Sequence, residues 1–512
     1  MKKIILGSFL LALLISAVPF ENHTSRNLDP TERDFGIFEN EVTIGDQASI
    51  GELEYNPNQQ EYSFLSSGDL KFGDSNPIHY LYKSIQGDFI LRAHLSFEGD
   101  ARSESNAGWI IRNNLSPKSA EVIAQVNYSG AASLESNTME GLSSEEIKVP
   151  LAQANVLQLE RRGDVYYFSL AKFGEAFTTV KIENENLKNE VFAGLFFDPG
   201  NDGSSGKVNV NNVRIIKPAG PDFEQYQEYL GSNLEILNVE TGKRKILYTS
   251  AHSIQAPNWV NKDKDLVYNS NGYLYRYDLN SERVEQIETG FAINNNNDHV
   301  FSFDESILGI SHHNQEDGGV SSLYIMDPAG DTLPQKITKD GVGASYLHGI
   351  SPDNKTLLFT GDRKGKMDIY SIDIETKKEI QLTDTDYLDD GSEYSPDGEY
   401  IYFNSNRNGK MHLWRMKPDG SEQEQLTFDP KHNDWFPHIS PDGKWIAFIS
   451  FPPEIDSGDH PFYKHCLLRL MPVDGGEPKV IAYIYGGQGT INVPSWSSDS
   501  KHISFVTNTA CY

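Results

Sequence analysis

The chain has 512 residues, 73 acidic against 44 basic, and a formal net charge of −29. That length exceeds what one core can use and suits two or three, while the acid excess argues against a nucleic acid partner, because phosphate binding needs clustered Lys and Arg. Two cysteines in such a length exclude a disulfide framework.

Residues 1–20 are predicted to be a signal peptide. Lys2-Lys3 gives a positive start, Ile4 to Val18 a nearly unbroken apolar run, and Glu21-Asn-His-Thr-Ser-Arg26 a polar end. The run is too short to span a bilayer comfortably. The expectation is an exported protein, periplasmic or secreted, with no transmembrane segment in the mature chain.

From 34 to 217 the texture is alternating. Apolar residues recur in Glu61-Tyr-Ser-Phe-Leu65, His79-Tyr-Leu-Tyr82, Asp88 to Phe97, Gly108-Trp-Ile-Ile-Arg112, Asn155 to Arg161, Val165 to Leu170, Val191 to Phe197 and Lys207 to Ile216. Eight short strands between Gly-, Asn- and Ser-rich turns predict an antiparallel sandwich, read as a jelly roll. The phrases Gln86-Gly-Asp-Phe89, Ala107-Gly-Trp-Ile-Ile-Arg112, Leu157-Gln-Leu-Glu-Arg161 with Gly163-Asp164, Ala193-Gly-Leu195 and Asn212-Val-Arg-Ile215 resemble, in this order, a concanavalin-like module of exported bacterial carbohydrate-active proteins. Asp69, Asp74 and Asp88 could hold a structural calcium there, although turn carboxylates facing water are the simpler reading. Residues 218–231, beginning Pro-Ala-Gly-Pro-Asp222, read as a linker with a short polar helix.

A repeat occupies 232–509. Its anchors are Trp259-Val-Asn-Lys-Asp263, Phe301-Ser-Phe-Asp-Glu305, Ile350-Ser-Pro-Asp-Asn354, Tyr394-Ser-Pro-Asp-Gly398, Ile439-Ser-Pro-Asp-Gly443 and Trp496-Ser-Ser-Asp-Ser500, spaced 42, 49, 44, 45 and 57 residues apart. That period is a propeller signature, and six anchors predict six blades. The last unit has room for only two strands, so the pair at Asn233 to Val239 and Lys243 to Thr249 is expected to complete it and close the ring. The run from Tyr394-Ser-Pro-Asp-Gly398 through Asn404-Ser-Asn-Arg-Asn-Gly409 to Pro418-Asp-Gly-Ser421 and Glu424-Gln-Leu-Thr427 resembles the TolB-type propeller unit in full. The resemblance implies an all-β fold, a six-bladed TolB-like propeller behind the sandwich. It also implies envelope proteins as partners, although the fold serves unrelated hydrolases and lyases too.

One face of the ring collects eight of the 14 histidines. Of these, His299, His348 and His438, with Glu393, immediately precede innermost strands. Such a set could hold Mn, Zn or Ca as a metal site, with His348, His438 and Glu393 as catalytic groups. The four do not share one register, and period-two strands turn neighbours to opposite sides. The alternative is that they cap loops or pack between blades. Blade five carries an insertion, Phe451 to Tyr463, beside Asn433-Asp-Trp-Phe-Pro-His438. Trp435, Phe462 and Tyr463 are candidates to stack on a sugar, with Asp434 and His460 taking its hydroxyls and Gln488 as a neutral hydrogen-bond group; alternatively Trp435 and Phe462 only pack the loop down. Arg363 and Arg407 could clamp an acidic substrate, though an arginine at this repeat position also bridges blades.

The sequence thus points to an exported propeller that binds or processes a glycan at its His-rich face. Two rivals stand beside it: an envelope protein-interaction scaffold, and a metal-assisted lyase or hydrolase of acidic oligosaccharides, similar only in outline to oligogalacturonate lyases. Whether the protein is an enzyme stays open at this level.

Overall fold

The computed structural model describes residues 33–45, 51–66, 77–99, 105–138, 144–200 and 206–510. The expected signal peptide, Asp69, Asp74 and Cys511 lie outside these residues. Asp88 accepts a hydrogen bond from the Gly163 amide at 2.8 Å, which is a turn contact. Cys466 is buried and unbridged. No helix among the described residues is long and apolar enough to cross a membrane.

Between Asn40 and Ile216, antiparallel strands form two seven-stranded sheets. The first runs Asn40–Ile44, Ile78–Gln86, Glu190–Asp198, Asn106–Arg112, Glu121–Asn127, Ala132–Asn137, Ser144–Val149. The second runs Thr178–Glu183, Val165–Ala171, Val156–Arg162, Phe89–Gly99, Gly206–Ile216, Glu61–Leu65, Glu52–Asn56. Their inner faces share one core, where Leu81, Trp109 and Leu195 of one sheet join Leu91, Leu157 and Phe168 of the other. The architecture is a sandwich. Alternation had located only eight of its strands. Ser144–Val149 and Thr178–Glu183 each turn only two apolar residues inward, Ile147 with Val149 and Val180 with Ile182, among exposed polar ones, while Glu121–Asn127 alternates on the small side chains Val122, Ala124 and Val126.

The second half is a six-bladed propeller. Blades one to five each have four strands, with inner strands Gln255–Val260, Asn295–Phe301, Ser345–Ile350, Asp389–Tyr394 and Asn433–Ile439. In the closing blade, His502–Thr509 pairs with Gly231–Asn238, which pairs with Arg244–Ser250, and Trp496 bridges to Ile503 on the inner side. Strands from the two ends of the propeller therefore seal the ring, and no inner edge is left open.

The repeated turn explains the repeat. In blade five the Ser440 hydroxyl donates to Asp442 at 2.6 Å and accepts the amide of Trp445 at 3.0 Å, so serine and aspartate together replace backbone partners in a tight reversal. Ser302, Ser351, Ser395 and Ser497 do the same with Asp304, Asp353, Asp397 and Asp499. Blade two keeps the turn despite its divergent spelling. Blade one does not: Asn261, Lys262 and Asp263 are all left-handed, at φ 55, 54 and 62°.

Residues from Phe35 onward form one compact unit. The second sheet of the sandwich lies against blade five and the closing blade through buried charges. Arg214 of the sandwich and Arg244 of the propeller both grip Glu235, with closest contacts of 2.6 and 2.9 Å, and Thr507 donates to it at 2.6 Å. Arg92 holds Gln158 beside it and donates to the Tyr483 carbonyl, which Arg244 also reaches at 3.0 Å. Burial raises the Glu235 pKa, but the two guanidiniums override it and hold the carboxyl at about 2. The linker is not helical; it runs as turns. Its aromatic side chains pack on the blade-five insertion, with Phe223 against Tyr463 at 5.0 Å and Tyr226 and Tyr229 against Phe462 at 5.3 and 5.7 Å.

Candidate functional site

Each of the five regular inner strands carries a register shift against its neighbour, at Gln255/Asn258, Asn295/His299, Leu347/Gly349, Asp390/Glu393 and Trp435/His438. These are β-bulges, which break alternation and re-aim side chains. The bulges form the wall of a cavity of about 610 Å³, to which all six blades contribute. His348 is itself the extra residue in blade three, since Leu347 and Gly349 face consecutive partners across the ladder. Asp298 lies within the blade-two bulge, Asp390 opens that of blade four, and Phe436 occupies that of blade five at φ 55°.

Hydrogen bonds from each blade to the next hold these bulges. Asn269 donates to the Asn295 carbonyl at 3.1 Å, Thr360 to Asp390 at 2.6 Å, and Asn404 accepts the Phe436 amide at 3.0 Å. Gly391, at φ 65°, allows the close approach: a Cβ there would lie 2.5 Å from the Asn404 oxygen.

Among the titratable groups that line the cavity, His348, Asp390 and Asp298 act on one another. His348 Nε2 lies 3.1 Å from Asp390 Oδ1. Burial works against charge on His348, yet the two aspartates prevail and raise its pKa. Asp390 is lowered to about 2, because His348 and the Thr360 hydroxyl outweigh its burial. Asp298 moves the other way, to about 7, driven up by burial and by the Asp390 charge against the pull of His348. Two carboxylates of opposite tendency thus act on one imidazole, and only Asp390 is in contact with it. The rest of the lining is rich in amides, including Asn269, Asn294, Asn297, Gln488 and Asn492, and is walled by Tyr226, Tyr229 and Phe462. Among the described residues neither Lys nor Arg lines it.

A TolB beta propeller domain matches residues 342–458. The uncharacterized protein Atu1656 of Agrobacterium fabrum is 41% identical over 276 residues, which is 54% of this chain and 92% of that protein. A solved structure from Agrobacterium tumefaciens, assigned provisionally to TolB, is 38% identical with a TM-score of 0.52, over 56% of this chain and 100% of its own. The chain belongs to the TolB-type propeller family. TolB from Acinetobacter baumannii is 17% identical with a TM-score of 0.36, over 55% of this chain and 64% of that one. Both Agrobacterium matches span little more than half of this chain, an extent close to that of the TolB-type propeller alone.

On this TolB-type ring the residues expected from sequence divide sharply. His348, His460 and Gln488 line the cavity. The four proposed metal ligands are not brought together. Glu393 and His438 form an interblade pair at 2.6 Å; the second Glu393 oxygen accepts the Ile439 amide at 3.1 Å and His438 Nε2 meets the Ile491 carbonyl at 2.7 Å. His299 is 0% exposed and outside the lining. Among the described residues no group of three or more His, Cys, Asp or Glu is placed to hold a metal ion.

Of the expected sugar platform only Phe462 lines the cavity. Trp435 is fully buried, its ring 4.4 Å from that of His460, so it supports the cavity wall from behind. Asp434 bonds Ser450 and Arg469, and the Tyr463 hydroxyl accepts the Leu230 amide at 3.0 Å. Arg363 pairs with Glu379 and Arg407 with Asp389, each within its own blade. Sequence reading missed Asp298, Asp390 and the two linker tyrosines. The signal for Asp298 was present in the run Asn294-Asn-Asn-Asn-Asp298, where polar residues fill the start of an inner strand instead of alternating with apolar ones.

Proposed function

We propose that the protein is an exported TolB-type propeller that binds a glycan in the cavity at the mouth of its channel. The cavity lining carries this reading. Side-chain amides donate and accept together, as vicinal hydroxyls require, and Tyr226 and Tyr229, 59% and 45% exposed, offer faces for the C–H side of a sugar ring. Export rests on Lys2-Lys3 and the apolar run after it. The sandwich, read as a concanavalin-like jelly roll, suits an accessory glycan module and is bonded to the ring through Arg92 and Arg214.

The test is a glycan array probed with the purified protein, followed by titration of the retained sugar into Tyr229→Ala and Asn297→Ala variants. Binding should fall at least tenfold in each. A folded protein that retains no sugar, or variants that bind as the wild type does, would remove the reading.

An envelope scaffold is the second reading, supported by family membership and by the exposed side chains Phe291, Ile293 and Leu333. Metal-assisted cleavage of an acidic oligosaccharide draws least support: no cation lines the cavity to meet a uronate, and Glu393 and His438 are engaged with each other.

A further inference from the structure

We propose that the cavity selects a ligand bearing a protonated amine, an amino sugar in the glycan reading on which this rests, with Asp298 as its counter-ion. Asp298 is 5% exposed and lines the cavity, and only its backbone is hydrogen-bonded, to Asn296 at 3.0 Å. Its carboxylate has no hydrogen-bond partner among the described residues. Asp390 differs, being engaged by His348, by the Thr360 hydroxyl and by the Gly391 amide at 2.8 Å. One carboxylate is thus neutralised by an imidazole and the other is left for a ligand.

An isolated buried carboxylate is costly unless a cation or donor meets it. Among the described residues neither Lys nor Arg lines the cavity to do so. An ammonium group would supply a charge-assisted hydrogen bond and favour the ionised form of Asp298. Gln488 Oε1 and the Nδ1 atom of His460 have no partner and can serve the neighbouring hydroxyls. The exposed Tyr226 and Tyr229 rings attract a cation as well as a sugar face. Beyond the cavity, a net charge of −29 draws cations in and repels uronates.

Three disaccharides separate the cases by calorimetric titration at pH 7 with EDTA present: the glucosamine disaccharide, its N-acetylated counterpart, and digalacturonate. The free amine should bind at least tenfold more tightly than the acetylated form, and digalacturonate most weakly. Asp298→Asn should erase the amine preference, bringing the free and acetylated forms to within about twofold of each other. Equal or tighter binding of the acetylated or uronate sugar, or an amine preference that survives Asp298→Asn, would overturn the proposal. If the acetylated sugar binds through Tyr229 while the amine adds nothing, the glycan reading stands and the amine assignment falls. If none of the three binds, the amine assignment falls, and retention on the glycan array decides the glycan reading separately. The wild-type comparison needs no variant, so misfolding of Asp298→Asn would not blunt it.

Discussion

Glu235 and Asp298 are both buried carboxylates, and their surroundings drive them in opposite directions. Two arginines hold Glu235 at about 2, so its stabilisation is complete above its unfolded pKa of about 4.3 and is lost as pH falls towards about 2. Glu235→Gln leaves Arg214 and Arg244 buried without a counter-charge, and should lower the unfolding free energy at pH 7 by about 3 to 5 kcal/mol in urea titration. Asp298, raised to about 7, keeps its proton in the fold while the unfolded chain releases it near about 3.9. Stability therefore falls as pH rises between those values. Asp298→Asn should raise stability at pH 8 by on the order of 2 kcal/mol, with a smaller gain near pH 4; an unchanged melting temperature at pH 8 would contradict this.

At the scale of elements, the bulge decides function. Turns were legible because Ser-Pro-Asp-Gly bonds within itself, as Ser440, Asp442 and Trp445 show. The strand count in the propeller followed from those turns, and so did the closing pair. Bulges have no such spelling. Period-two reasoning treated His299 and His348 alike, three residues before the repeat serine, yet an extra residue in the ladder delivers His348 to the cavity and leaves His299 in the packing. Trp435 was misplaced for the same reason, since the register shifts immediately after it. The linker tyrosines were read as a polar helix because their partner Phe462 is more than 200 residues away in sequence. Gly391→Ala tests the bulge directly. Its left-handed φ and the crowding by Asn404 and Phe436 should cost about 1 to 2 kcal/mol and weaken ligand binding by re-aiming Asp390, measured by denaturant unfolding and calorimetry on the same sample.

At the scale of the whole molecule, sandwich and propeller share buried charges that neither could keep alone. Calorimetry of the full chain should show one cooperative transition, and Arg214→Ala should lower its midpoint; two separated transitions in the wild type would mean that the domains unfold independently. The closing blade has a consequence in time. Gly231–Asn238 is made early and its partner His502–Thr509 last, so a ribosome working at about 5 to 20 residues per second leaves that strand unmatched for on the order of 10 to 50 seconds. The sandwich is finished before then. By packing Arg214 against Glu235 it can shelter one flank of the waiting strand during synthesis, serving the newborn chain as a built-in holdfast before it serves the mature one.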